Sequence, residues 1–184
     1  MKINQDRDFI VIVGSEIHTE VGDIIGLCLS EEIKSKNSIE IFEEIKTQGG
    51  FVVLPHPFRG HKLNQYIIEH SDAIEVFNGR STAEENFKAL ELAKKYNKPF
   101  TAGSDAHFAA EIGSTYIKHN VSSLEDIKNK PIINIKEVYG QVSPRCFMDA
   151  SQAIKALKSG RYLKSSQQMA YFLYHIIKYI YMYD

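Results

Sequence analysis

The chain has 184 residues, a hydrophobic fraction of 43%, a charged fraction of 24% and a formal net charge of −1, the profile of one ordinary globular domain. Basic and acidic residues are interspersed, so no basic face for tracking nucleic acid stands out. The polar N-terminus lacks a signal-peptide core, and no apolar run reaches the roughly 18 residues that cross a bilayer. Cys28 and Cys146 follow no zinc-finger or redox spacing and read as reduced thiols of a cytoplasmic protein.

Taken in chain order, Phe9 to Val13 is a short β-branched run that predicts a strand buried on both faces, and Asp23 to Leu29 predicts a second. A helix over 38–48 follows, with Ile39, Phe42 and Ile45 marking its apolar face and Gly49 and Gly50 as its stop. The pattern then alternates regularly. Strands are predicted at Phe51–Leu54, Ala73–Phe77, Pro99–Ala102 and Ser114–Ile117, with helices at Leu63–Glu69 and Ala83–Tyr96. In the longer helix Phe87, Leu90 and Ala93 fall on one side. Strands separated by helices argue for a parallel α/β sheet or barrel. Beyond Lys118 the pattern loosens into helices at 123–129, 151–158 and from Ser166 onward, and the last is rich in tyrosine. No repeat or low-complexity linker divides the chain, which reads as a single domain over 1–184.

Residue types that ligate metals recur where the predicted strands end. Glu16 follows the first strand, His56 follows the third within Leu54-Pro55-His56-Pro57, and Asp105 and His107 follow the fifth. In parallel α/β folds the strand C-termini open onto one face, which brings such residues together. Carboxylate oxygens with neutral imidazoles suit zinc, manganese or iron, and two such ions can hold a phosphate and acidify a water. His18 lies two residues after Glu16. Arg59, His61 and Lys62 follow His56, and Arg80 follows another strand, where a guanidinium could contact phosphate. Glu75 sits among apolar strand residues and needs a partner if it is buried.

The stretches Gly14-Ser15-Glu16, Leu54-Pro55-His56-Pro57, Glu75 to Arg80, Glu85-Asn86, Gly103 to His107 and Glu111-Ile112-Gly113 resemble the PHP (polymerase and histidinol phosphatase) domain over roughly 9–117. The part from about Ala73 to Ile117 resembles the PHP-associated C-terminal region of small stand-alone members. The resemblance implies a distorted (β/α)7 barrel, two or three divalent metals, and hydrolysis of a phosphoester. The substrate would be a phosphorylated small molecule, a nucleotide or a nucleic-acid end. Carried over, Glu16 matches the bridging glutamate, His56 the histidine of a strand-end motif, and Asp105 and His107 the closing Asp-x-His pair. Where the family has a histidine, this chain has Asp23, which remains a candidate ligand.

The family opens with a His-x-His strand that has no counterpart here, since only eight residues precede Phe9. The expectation is therefore an incomplete barrel lacking its first strands, with about half of the ligands and impaired turnover. It would be completed by an N-terminal fragment or would associate with itself. The alternative is a non-catalytic PHP remnant acting as a binding or interaction module. No membrane partner is expected.

Overall fold

The computed structural model describes residues 11–120, 126 and 135–183. Two strands, β1 (Gly14–Thr19) and β2 (Gly22–Leu27), form a hairpin in which Thr19 pairs with Gly22 across Glu20 and Val21. So short a turn permits only an antiparallel pair. Thr19 closes it by donating its hydroxyl to the Gly22 carbonyl at 2.6 Å. Gly22 has φ +125°, and a β-carbon there would stand 2.3 Å from the His61 ring. Gly22→Ala therefore meets both backbone strain and a clash, and should cost about 2 kcal/mol in urea unfolding. An unchanged midpoint would show that the turn adapts.

The sheet continues through β3 (Phe51–Leu54), β4 (Ala73–Asn78) and β5 (Phe100–Gly103), in the spatial order β1-β2-β3-β4-β5. Strand β2 runs antiparallel to β3, whereas β3, β4 and β5 are mutually parallel. The sheet is thus mixed, not wholly parallel as the alternation suggested. No closed barrel forms among the described residues, in which β1 and β5 are the outer strands. Helix α1 (Ser38–Thr47) links β2 to β3, α2 (Gln65–His70) links β3 to β4, and α3 (Ala83–Lys95) links β4 to β5. Their starts are set by local capping: Asn37 accepts from the Ile39 N–H, Asn64 from that of Ile67, and Thr82 with Glu85 forms a reciprocal capping box. The core packs Ile41, Phe42 and Ile45 of α1 and Ile67 and Ile68 of α2 against Ile24, Val52, Leu54, Ile74, Val76 and Phe100.

Three sequence expectations need correction here. Of the strand expected over Phe9–Val13, the first two residues lie outside the described part, and Val11 to Val13 are not in a regular strand. The reason lies in the neighbour. Strand β2 ends at Leu27 and Cys28 turns the chain with φ 60°, beyond which the Leu29 N–H bonds the Val13 carbonyl (3.1 Å). In α1, Ile39 is 47% exposed and the inner face is Ile41, Phe42 and Ile45. In α3, Phe87 is 63% exposed while Asn86, Ala89 and Ala93 face inward. Asn86 takes the inner place because its amide accepts from the Asn78 N–H (2.9 Å) and donates to the Asn78 carbonyl (3.2 Å).

A separate antiparallel ribbon joins β6 (Thr115–Ile117) to β7 (Val138–Gly140), with Tyr116 and Tyr139 stacked. The helix expected over 123–129 lies outside the described residues except at Asp126, which is helical. Two longer helices follow, α4 (Arg145–Lys158) and α5 (Tyr162–Tyr183), each starting earlier than its apolar spacing indicated. They fold back on one another around Gly160 (φ 71°), tied by Ser165 donating to the Ala153 carbonyl at 3.0 Å and by His175 against Asp149 at 2.7 Å. No described helix is long and apolar enough to cross a membrane, and both cysteines are free.

Candidate metal centre

The β1–β2 hairpin carries two candidate ligands. Residues two apart on a strand share a face, so Glu16 and His18 lie together, and His18 pairs in register with Asp23 on β2. The His18 Nδ1 stands 2.7 Å from Asp23 Oδ1. Glu16 therefore lies inside β1, not after it, and reaches the site from a sheet face instead of a strand end.

His56 comes from the other side, just beyond β3. It is 5% exposed and has φ 26°, a conformation rare for any residue with a β-carbon. Its N–H donates to Glu75 Oε2 at 2.8 Å, and the same oxygen accepts from Asn78 Nδ2 at 3.0 Å. That answers the Glu75 question: the carboxylate is buried in β4 and holds the His56 backbone in its strained position. Burial pushes the Glu75 carboxyl up, and the Asn78 and His56 bonds oppose that rise. Gly103 on β5 leaves the room Glu75 needs, since a β-carbon there would sit 2.9 Å from Glu75 Oε1.

The result is a three-residue cluster. His56 Nε2 lies 3.1 Å from Glu16 Oε1 and 3.9 Å from Asp23 Oδ2, and one ligand atom from each residue lies within 4.8 Å of the others. Behind it, His61 Nε2 is 2.9 Å from the Asp23 carbonyl, and burial pulls the His61 imidazole below its usual range, which favours the neutral ring. The His56 Nδ1 is buried without a hydrogen-bond partner among the described residues, which leaves Nε2 as its working atom. Two carboxylates and one imidazole, gathered at this spacing, fit a borderline divalent cation such as zinc, manganese or iron.

Asp105 and His107 sit beyond β5 and line the same cavity, of about 710 Å³, as Glu16, Asp23 and His56. They are not members of the three-residue cluster. Asp105, also in a left-handed conformation (φ 52°), is engaged by the Arg59 guanidinium, which further donates to Asn78 Oδ1 at 3.1 Å. His107 is half exposed, with Nδ1 2.9 Å from the Asp105 carbonyl and 3.6 Å from its Oδ1. Strained backbone at both His56 and Asp105 is the kind of cost that folds retain at working sites.

Arg80 lines the cavity, but its guanidinium is committed to a bidentate pair with Glu111 (2.9 and 2.7 Å) and to the Ser151 hydroxyl (2.8 Å). Glu111 also accepts the N–H groups of His107 (3.0 Å) and Phe108 (3.1 Å), so the pair sets the loop that carries His107. Burial alone would raise the Glu111 carboxyl; hydrogen bonds from Arg80, Ser143 and the His107 N–H overcome it and hold the carboxyl at about 2. Lys62 is exposed and does not line the cavity, and its N–H bonds the Val21 carbonyl. Glu111 stands in the sequence as part of Glu-Ile-Gly, yet nothing in that pattern shows that its partner is Arg80.

Comparison with known proteins follows this geometry. Residues 83–129 match the family model described as PHP-associated. The chain is 37% identical over 142 residues to Uncharacterized protein MJ0417 of Methanocaldococcus jannaschii, covering 69% of this chain and 60% of that protein. It is 41% identical over 81 residues to Uncharacterized protein MJ1587 of the same organism, covering 42% of this chain and 47% of that protein. The chain thus spans about half the length of the curated relatives it matches. Its fold is similar to that of a two-domain protein from Bacteroides vulgatus containing a predicted PHP-like metal-dependent phosphoesterase, with a TM-score of 0.53 and 22% identity over 71% of this chain and 44% of that one. Residues 83–129 thus match a PHP-associated segment, and the described fold is similar to that of a protein containing a predicted PHP-like domain.

Proposed function

We propose that the chain forms the metal-binding face of a phosphoesterase, its mixed sheet being a portion of a distorted (β/α)7 barrel. The observation that carries this is the convergence of Glu16, Asp23 and His56 on the wall of a roomy cavity that Asp105 and His107 also line. Glu16, Asp23 and His56 would hold one divalent ion, and Asp105 with His107 would contribute to a second. Such ions supply Lewis acidity toward a phosphoryl oxygen and a water. The chain's own part is positioning. Glu75 fixes His56 through its backbone, His18 orients Asp23, and the Arg80–Glu111 pair fixes the His107 loop.

One observation favours a second reading, a binding module without turnover: Arg59 occupies Asp105. Calorimetric titration with manganese, beside phosphate release from a panel of phosphoesters, separates the two. Wild type should bind at least one ion, with affinity falling about 100-fold in Glu16→Ala. Arg59→Ala frees Asp105 and should tighten the second ion roughly tenfold. Unchanged manganese binding in Glu16→Ala would end the metal-site reading. Tight binding with no release from any ester would favour the module.

A further inference from the structure

Helix α4 lines the same cavity as the candidate ligands, with Arg145, Met148, Asp149, Gln152 and Lys155. Their spacing of three, four, seven and ten residues from the first is one face of a helix. The charges on the cavity wall then sort themselves. Arg59 is neutralised by Asp105, Arg80 by Glu111, and Asp149 is paired with His175. Arg145 and Lys155 have no acidic partner among the described residues, and both line the cavity that Glu16, Asp23 and His56 also line. A second cavity of about 460 Å³ adjoins this one, sharing His107 and Lys155 as a common wall. Beyond that wall it is bounded by Phe108, Ile154 and Lys158, and Phe108 is steadied by Phe147 with ring centroids 5.6 Å apart.

We propose that Arg145 and Lys155 form the phosphate-binding wall of the site, and that the side cavity receives a compact apolar or aromatic leaving group against Phe108. This rests on reading the cavity as a phosphoesterase site. An ion held by two carboxylates retains little positive charge for a dianionic phosphate, so unpaired cations lining the same cavity supply the remaining compensation. Arg145 offers a planar fork for two phosphate oxygens, and Lys155 a point charge where the two cavities meet. The substrate class that follows is a phosphomonoester with an apolar or aromatic leaving group small enough for about 460 Å³.

Two non-hydrolysable probes, methylphosphonate and phenylphosphonate, test this by calorimetry with and without manganese. Wild type should bind phenylphosphonate roughly fivefold more tightly than methylphosphonate, from apolar burial. Arg145→Ala and Lys155→Met should each weaken both probes about tenfold while manganese affinity stays unchanged, with Arg145→Lys intermediate. Ile154→Asp should remove the phenyl preference alone, and Lys164→Ala on α5 should change nothing. Unchanged probe affinity in both Arg145→Ala and Lys155→Met overturns the phosphate wall. A phenyl preference that survives Ile154→Asp overturns the leaving-group assignment. If wild type binds no manganese, the phosphoesterase reading fails, and the metal-free titrations still decide whether α4 binds the anion.

Discussion

Arg80→Ala is expected to lower folding stability by about 3–5 kcal/mol in urea unfolding at neutral pH, the largest single effect anticipated for this chain. The reason is asymmetric. Arg80 is 5% exposed and Glu111 2%, and removing the guanidinium leaves a buried carboxylate without its cationic partner, held by neutral groups such as the His107 and Phe108 N–H. The pair also makes a pH signature. Glu111 is held at about 2, below the 4.5 usual for a glutamate. Because the folded value lies below the unfolded one, the unfolded chain takes up the proton more readily. The stabilisation is complete above about pH 4.5 and is lost as pH falls toward 2, an amount of about 3 kcal/mol. Without Arg80 the Glu111 carboxyl rises, so the stability gap between variant and wild type should narrow over that window. Parallel pH curves for the two proteins would show that the buried pair contributes nothing through Glu111.

The second large effect concerns metal affinity. His56→Gly should weaken manganese binding by about 100-fold, equivalent to about 3 kcal/mol, while metal-free stability changes by less than about 1 kcal/mol. Glycine removes the imidazole but adopts the φ of 26° without strain, so the relief offsets part of the packing lost. In wild type, manganese at about 100 times its dissociation constant should add about 2.7 kcal/mol to stability, and in His56→Gly at the same concentration this gain should fall to about 0.4 kcal/mol. A collapse of the metal-free protein with metal affinity preserved would mean that His56 serves packing alone.

Some of this was legible in the chain and some was not, for physical reasons. The alternation of β3, α2, β4, α3 and β5 was readable because apolar runs of strand length are punctuated by Asn and Thr caps and by glycines. His56 and Asp105 were nominated because strand ends in parallel segments share a rim. Val11 to Val13 read as strand from their β-branched composition, yet they are irregular beside the turn at Cys28 that ends β2. Phe87 misled because a buried amide, Asn86, took the inner position that hydrophobicity assigned to the ring. Arg59 against Asp105, and Arg80 against Glu111, are long-range pairs without a local signature. The α4 wall went unseen because its cavity face is polar, and a polar stripe at helical spacing reads as solvated surface.

Among the described residues, Glu16 and Asp23 both ride on the outermost hairpin of the sheet, while His56 is anchored inward on Glu75. Outer hairpins open more often than the strands behind them. Each opening would carry two of the three donor groups away together and leave the third in place. Release of a bound ion would then proceed as one concerted event, with a rate equal to that of hairpin fraying. Amide hydrogen exchange along Gly14–Thr19 and Gly22–Leu27 would share its slowest step with metal dissociation.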